Sequence, residues 1–191
     1  MIITDLQAFG LEWAQRASGL PMKENPINIC PIYELDTKDA QRAMRLADTP
    51  IGTGHDNFLV GITVHMTISA TVKWWQQFQR YHFADIVSSQ STMHKLPDML
   101  KNKTAVFHAD VDERIISIIT RMALEGASLE QLAYNCPMGL EMTAAVTTNY
   151  RQLKTIYQQR KTHRLQEWQE FCRIIAVGLP CSYLFTKVNE P

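Results

Sequence analysis

Hydrophobic positions recur every three or four residues through most of this chain and alternate in only a few short runs. The pattern predicts an α/β (α+β) domain spanning 1–191, a small mixed or antiparallel sheet packed with several long helices. Leu6–Ala17 reads as an amphipathic helix closed by the Ser-Gly-Leu-Pro turn at 18–21. Residues 27–35 (INICPIYEL) alternate like a strand, and Pro31 makes it an edge or irregular one. Asp36-Thr37 caps a helix running to about Ala47. A turn at 49–57 (TPIGTGHDN) leads into Phe58–Thr67, the clearest strand, and Ser69 opens a helix carrying Trp74, Trp75, Phe78 and Tyr81 on its apolar side. Ser88–Thr92 (SSQST) reads as loop, and 97–109 have no clear pattern. Asp110 caps a helix over Val111–Glu125, with Ile115, Ile118, Ile119 and Met122 as its stripe. Ser128 opens a short helix ended by Cys136-Pro137. Leu140–Thr148 alternates as a second strand. The chain closes with two consecutive helices, the second from about His163 to Val177, stopped by Leu179-Pro180.

One helical stretch departs from the usual segregation of charge. In 149–168 (NYRQLKTIYQQRKTHRLQEW), Leu153, Ile156 and Tyr157 form an apolar stripe ringed by Arg151, Arg160, His163 and Arg164. Arg160 lies three residues past Tyr157 and four past Ile156, at the edge of the buried face, with His163 a turn further on. A guanidinium near a core needs an anion or a planar acceptor, because an unpaired buried charge is costly. A phosphate, a carboxylate or an electron-rich heterocycle would serve. So would an internal salt bridge, with Glu167 four residues after His163 as a local partner.

Composition narrows the choice. Nineteen basic and 19 acidic residues give a formal net charge of +0, so nothing global attracts nucleic acid or acidic membrane and any anion site must be local. Cys30, Cys136, Cys172 and Cys181 are scattered, with no CxxC pair, and read as buried free thiols suited to a reducing cytoplasm. The opening MIITDLQAFG has no basic region followed by an apolar core, so no signal peptide is expected, and IIAVGLPCSYLF is too short to span a bilayer.

Phosphate loops, dinucleotide fingerprints, zinc motifs and nucleophile elbows are all missing, and the six histidines form no metal-ligand set; no metal is expected. Two further clusters stand out. Gly54-His55-Asp56 is a polar turn before the clearest strand, and a turn histidine is its plain structural reading. Gln76 and Arg80 share a helix face, continuing through Tyr81-His82 to Ser88-Ser89-Gln90-Ser91-Thr92, a run of donors able to hold phosphate oxygens. A basic helix C-terminus followed by a solvated loop would look the same.

The order of these segments resembles that of the flavin-dependent thymidylate synthases, the ThyX family. GHDNFLVGITVHMTISATVKWWQQFQRY is similar to the family's Gly-His turn, strand and Gln-Trp helix. CPMGLEMTAAVTTNYRQLKTIYQQRKTHRLQEW is similar to its Leu-Pro turn, strand, Asn-x-Arg helix and terminal arginine. The resemblance covers roughly residues 50–95 and 135–180. It implies a cytoplasmic homotetramer that binds FAD and dUMP at sites shared between subunits. The family's reaction moves a methylene from methylenetetrahydrofolate to dUMP, with NADPH reducing the flavin. By the same resemblance Arg160 grips and polarises the uracil. Asn149, Arg151 and His55 lie by the flavin, with Arg80, His82 and His163 also on the cofactor side. Gln76, Ser88 and Ser89 lie on the nucleotide side. The family signature Arg-His-Arg-x-x-Ser-x-Asn-Glu-x-Ser-x-Arg is not intact: Gln79-Arg80-Tyr81-His82 and Ser88-Ser89-Gln90-Ser91 stand in its place. The arginine preceding the family's Leu-Pro turn corresponds to Ala133. A repurposed, non-catalytic nucleotide-binding or interaction protein is the alternative, with Arg151 and Arg160 paired to carboxylates such as Glu141 or Glu167.

Overall fold

A computed structural model describes residues 1–24 and 37–187. The strand expected over 27–35, with Cys30, and the Asp36 cap lie outside the described residues. Four strands, β1 (Ile2–Phe9), β2 (Thr63–Thr71), β3 (Asp85–Ser89) and β4 (Glu141–Asn149), form a wholly antiparallel sheet in the order β1-β2-β4-β3. The central pair keeps an unbroken register from Thr63 opposite Asn149 to Thr71 opposite Glu141. Side chains alternate across this pair. Val64, Met66, Ile68, Met142, Ala144 and Val146 are buried, while Thr63, Thr67, Thr143 and Thr147 line the other, half-exposed face.

Helices α1 (Leu11–Ala17), α2 (Thr37–Ala47), α3 (Val72–Phe78), α4 (Thr92–Lys101), α5 (Glu113–Leu124) and α6 (Leu129–Asn135) precede or surround the last strand. After it come α7 (Tyr150–Arg160), α8 (Gln166–Gly178) and α9 (Tyr183–Thr186). The densest part of the core is aromatic. The fully buried Trp74 ring lies 4.7 Å from Trp168, 4.8 Å from Phe78 and 5.5 Å from Phe171, centroid to centroid. Each ring removes about 150–250 Å² from water, worth roughly 4–6 kcal/mol of gross burial. That cluster ties α3 to α8.

Several boundaries differ from the sequence expectation, for local reasons. Residues 2–9 are a strand, because their partly buried positions pair along β2, and the helix begins only at Leu11. Gly10 makes the turn at φ +78°, where a Cβ would meet the Gly61 carbonyl oxygen at 2.5 Å. Asn57–Gly61 is a 3₁₀ turn, so β2 starts at Thr63 and runs on to Thr71. Thr71 ends it: its Oγ1 accepts the Trp74 N–H at 3.1 Å, while its own N–H and hydroxyl donate to the buried Glu167 carboxylate at 3.0 and 2.6 Å. The expected serine-rich loop is strand β3, and Gln90 extends its ladder. The Gln90 N–H donates to the Thr143 carbonyl, and its carboxamide oxygen accepts the Thr143 N–H, both at 2.9 Å. The unpatterned 97–109 contain the end of α4 and a bridge from Phe107 to Leu140. Asp112, not Asp110, caps α5 by accepting the Arg114 N–H at 2.8 Å. Two consecutive helices carry the cationic stretch as expected, but the second begins at Gln166 and not near His163, after a break at 161–165.

Candidate functional site

The candidate residues fall into three groups, each fixed by a different element. The first is the Gly54-His55-Asp56 turn, where Gly54 adopts φ +81°. Asp56 is fully buried. It accepts from Lys154 Nζ at 2.9 Å and lies 3.4 Å from Arg151 Nε, while Lys154, equally buried, also donates to the Thr49 carbonyl at 2.6 Å. One carboxylate faces two cations here, so the excess positive charge falls on Arg151, which is 36% exposed. Arg151 therefore pairs with Asp56 rather than with Glu141 or Glu167. Exposed His55 joins Trp13, Arg45, Phe58 and Met22 around a groove of about 930 Å³. Asn149 caps α7, its Oδ1 accepting the Gln152 N–H at 2.9 Å.

The second group surrounds Arg160, the last residue of α7. Its Nε donates to the Tyr81 hydroxyl at 2.7 Å, and that hydroxyl donates to Gln159 Oε1 at 2.9 Å. The guanidinium carbon sits 4.8 Å from the Trp168 ring centroid and 5.5 Å from that of Tyr81. Trp168 is held in turn by its Nε1–H bond to Gln77 Oε1 at 2.9 Å. No carboxylate among the described residues pairs with Arg160. The salt bridge expected of Glu167 does not form, because that carboxylate is buried against Thr71. His163 lies in the break after α7, with Nδ1 accepting the Leu165 N–H at 3.1 Å. Burial, then the Arg160 guanidinium, push its pKa below the ordinary 6.5.

The third group lines a cleft of about 230 Å³ between α3 and the β3–β4 edge. Gln76, Gln79, Ser89, Gln90 and Thr143 supply its polar lining, over a wall formed by Trp75, whose Nε1–H is fixed to the Met142 carbonyl at 2.9 Å. A neighbouring hollow of about 390 Å³ shares Gln76 and Thr92 and is lined by Ala133 and Tyr134. Arg80 and His82 are exposed in the turn after α3, and Ser88 is exposed on β3; none of the three lines the cleft. Six residue steps of β4 separate the Thr143 register from Asn149, about 20 Å of strand. Within one chain the His55–Arg151 group and the Gln76–Ser89 group therefore sit at opposite ends of the sheet. Among the described residues no three His, Cys, Asp or Glu side chains group as metal ligands.

The sequence reading missed two features. Lys154 interrupts the apolar face of α7, and a lysine on a buried helical stripe is the signal that would have exposed the Asp56 pair. Gln90 and Thr143 meet only through strand pairing, which has no local signature.

The fold is that of the flavin-dependent thymidylate synthases. Two structures of the ThyX enzyme from Helicobacter pylori, both with FAD and dUMP, share it. One has a TM-score of 0.76 at 16% identity, covering 97% of this chain and 98% of that one; the other has 0.75 at 16%, covering 97% of each. A UMP/dUMP methylase, PolB, from Streptomyces cacaoi bound to 5-Br dUMP matches at 0.65 and 13% identity, over 98% of this chain and 96% of that one. At these identities the likeness is one of fold. No family model matches the sequence, and no curated protein does.

Proposed function

We propose that this protein is a flavin-dependent enzyme of the thymidylate synthase class, acting on a pyrimidine as a homotetramer with shared sites in the cytoplasm. The observation that carries the proposal is Arg160: a guanidinium bonded to Tyr81 and packed against Trp168, with no carboxylate among the described residues pairing with it. Such a group is poised to donate to a pyrimidine carbonyl and to stabilise negative charge that develops on the ring, without reorganising during the reaction.

The residues at the other end of the sheet fit a flavin. The His55 groove joins two aromatic walls, Trp13 and Phe58, to Arg45, and its volume of about 930 Å³ suits a large cofactor. His55 and Arg45 would hold it, with the half-exposed Arg151 behind the same turn through Asp56, and FAD, reduced by NADPH, would supply hydride for the carbon delivered by methylenetetrahydrofolate. Asn149 positions Arg151 by fixing the first turn of α7. The separation of the flavin group from the Gln76 group supports sites assembled from more than one copy. Three free thiols and the lack of any helix long and apolar enough to cross a membrane, among the described residues, accord with a cytoplasmic setting.

The test is the visible absorption spectrum of the purified protein with and without added FAD, followed by turnover of Arg160→Ala. Expected are a bound-flavin spectrum, and a turnover loss of about 10²–10³-fold with flavin uptake intact. A protein that stays colourless in excess FAD overturns the reading. A non-catalytic pyrimidine-binding protein is the second reading, favoured by the Arg151–Asp56 ion pair, which gives that arginine a structural partner. Retained flavin uptake without turnover under any donor and reductant would support it.

A further inference from the structure

Of the guanidinium nitrogens of Arg160, only Nε has an acceptor among the described residues, the Tyr81 hydroxyl at 2.7 Å. That hydroxyl sends its own proton to Gln159 Oε1 at 2.9 Å, so it turns oriented lone pairs on Arg160. The Tyr81 ring is placed in turn by its edge against Trp168, with centroids 5.8 Å apart and planes at 71°. Trp168, fixed by Gln77, also packs against the guanidinium, its ring centroid 4.8 Å from the central carbon. The Arg160 carbonyl accepts the His163 N–H at 3.0 Å, which fixes the backbone where α7 ends. The turn after α3, α7 and α8 therefore converge on one side chain, and the resemblance gives Tyr81 no role.

We infer that Tyr81 is the positioning residue of Arg160: it takes the Nε–H with a neutral oxygen and so presents the Nη1–Nη2 edge, its charge intact, to the pyrimidine ring. The choice of a hydroxyl matters. A carboxylate in its place would take two parallel N–H bonds and offset the cation. A phenylalanine would leave a long, rotamer-rich side chain to be ordered at the moment of reaction. The phenol holds a single N–H and brings no charge. Gln159 completes the arrangement, because a hydroxyl without it could rotate its proton toward the guanidinium and set donor against donor. Tyr81 acts through Arg160 and has no need to touch the ring. All of these contacts lie within one chain, so they do not depend on which copy completes a shared site.

The inference rests on the reading under Proposed function for the ring that Arg160 meets, and one arm of its test is independent of that reading. That arm is the NMR spectrum of the full-length protein carrying isotopically labelled arginine, in which Arg160→Lys identifies the Arg160 Nε–H signal. A slowly exchanging signal is expected in the parent protein, and its loss in Tyr81→Phe with an unchanged circular dichroism spectrum. The other arm is turnover of dUMP with FAD, methylenetetrahydrofolate and NADPH. Tyr81→Phe is expected to lower kcat by about tenfold, while the KM for dUMP and the uptake of FAD stay as they were. Gln159→Glu, at an exposed position, keeps an acceptor for the hydroxyl but adds a negative charge beside it. It is expected to retain the signal and lower kcat by roughly fivefold. Should Tyr81→Phe not fold, Gln159→Leu takes its place, with faster exchange of the same N–H expected. An Arg160 signal that persists unchanged in these two variants overturns the inference, as does an unchanged kcat in Tyr81→Phe or an effect confined to KM. A protein with neither FAD uptake nor turnover sinks the proposed enzyme, and the Arg160 signal then still decides whether Tyr81 holds the guanidinium.

Discussion

Lys154 and Asp56 are the clearest case of a single pair setting local structure, since both are fully buried and neither has water to fall back on. Asp56→Ala leaves the Lys154 ammonium unpaired in the core and is expected to cost about 3–5 kcal/mol, read as a lower urea midpoint with unchanged slope. His163 gives a second measurable consequence. Its folded pKa lies below 6.5, so the unfolded chain binds the extra proton first as pH falls. Its contribution to stability is therefore full above pH 6.5 and is lost as the pH falls through the lower folded value. An NMR titration should place the His163 midpoint below 6.5, and Arg160→Gln should move it upward. Burial pushes the Cys172 thiol up to about 12, so it should resist alkylation at pH 8 until the protein unfolds, as peptide mapping would report.

At the scale of elements, what the sequence made legible was packing, and what it hid was hydrogen bonding between distant segments. Strand β4, α6 and α8, ending at Gly178, were all visible as periodic runs with ordinary punctuation. Strand β3 was hidden because its residues are polar and it belongs to the sheet through ladder bonds to β4, bonds that leave no hydrophobic alternation. The strand-to-helix change at Thr71 was displaced from the expected Ser69 because Glu167, 96 residues away, fixes it. Arg151 and Gln76 were legible as chemistry, but their three-dimensional separation was not, since it depends on register. Glu167→Ala removes both bonds at the junction. It is expected to cost about 1.5–3 kcal/mol and to raise hydrogen exchange at the Thr71 amide before global unfolding.

For the whole molecule, the relevant length is the roughly 20 Å of β4 between the two groups of polar side chains. If a working centre draws one group from each of two copies, then two separately disabled proteins can repair each other. Arg151→Ala and Gln76→Leu damage opposite ends, so each alone carries one damaged half at every centre. Unfolded together at equal amounts and refolded, they should regain activity at about one quarter of centres, those that happen to receive an intact half from each parent. Two proteins that merely coexist without exchanging subunits would regain none. The distance along one strand thereby becomes a statement about inheritance: damage at the two ends of this sheet should complement, while two lesions at the same end should not.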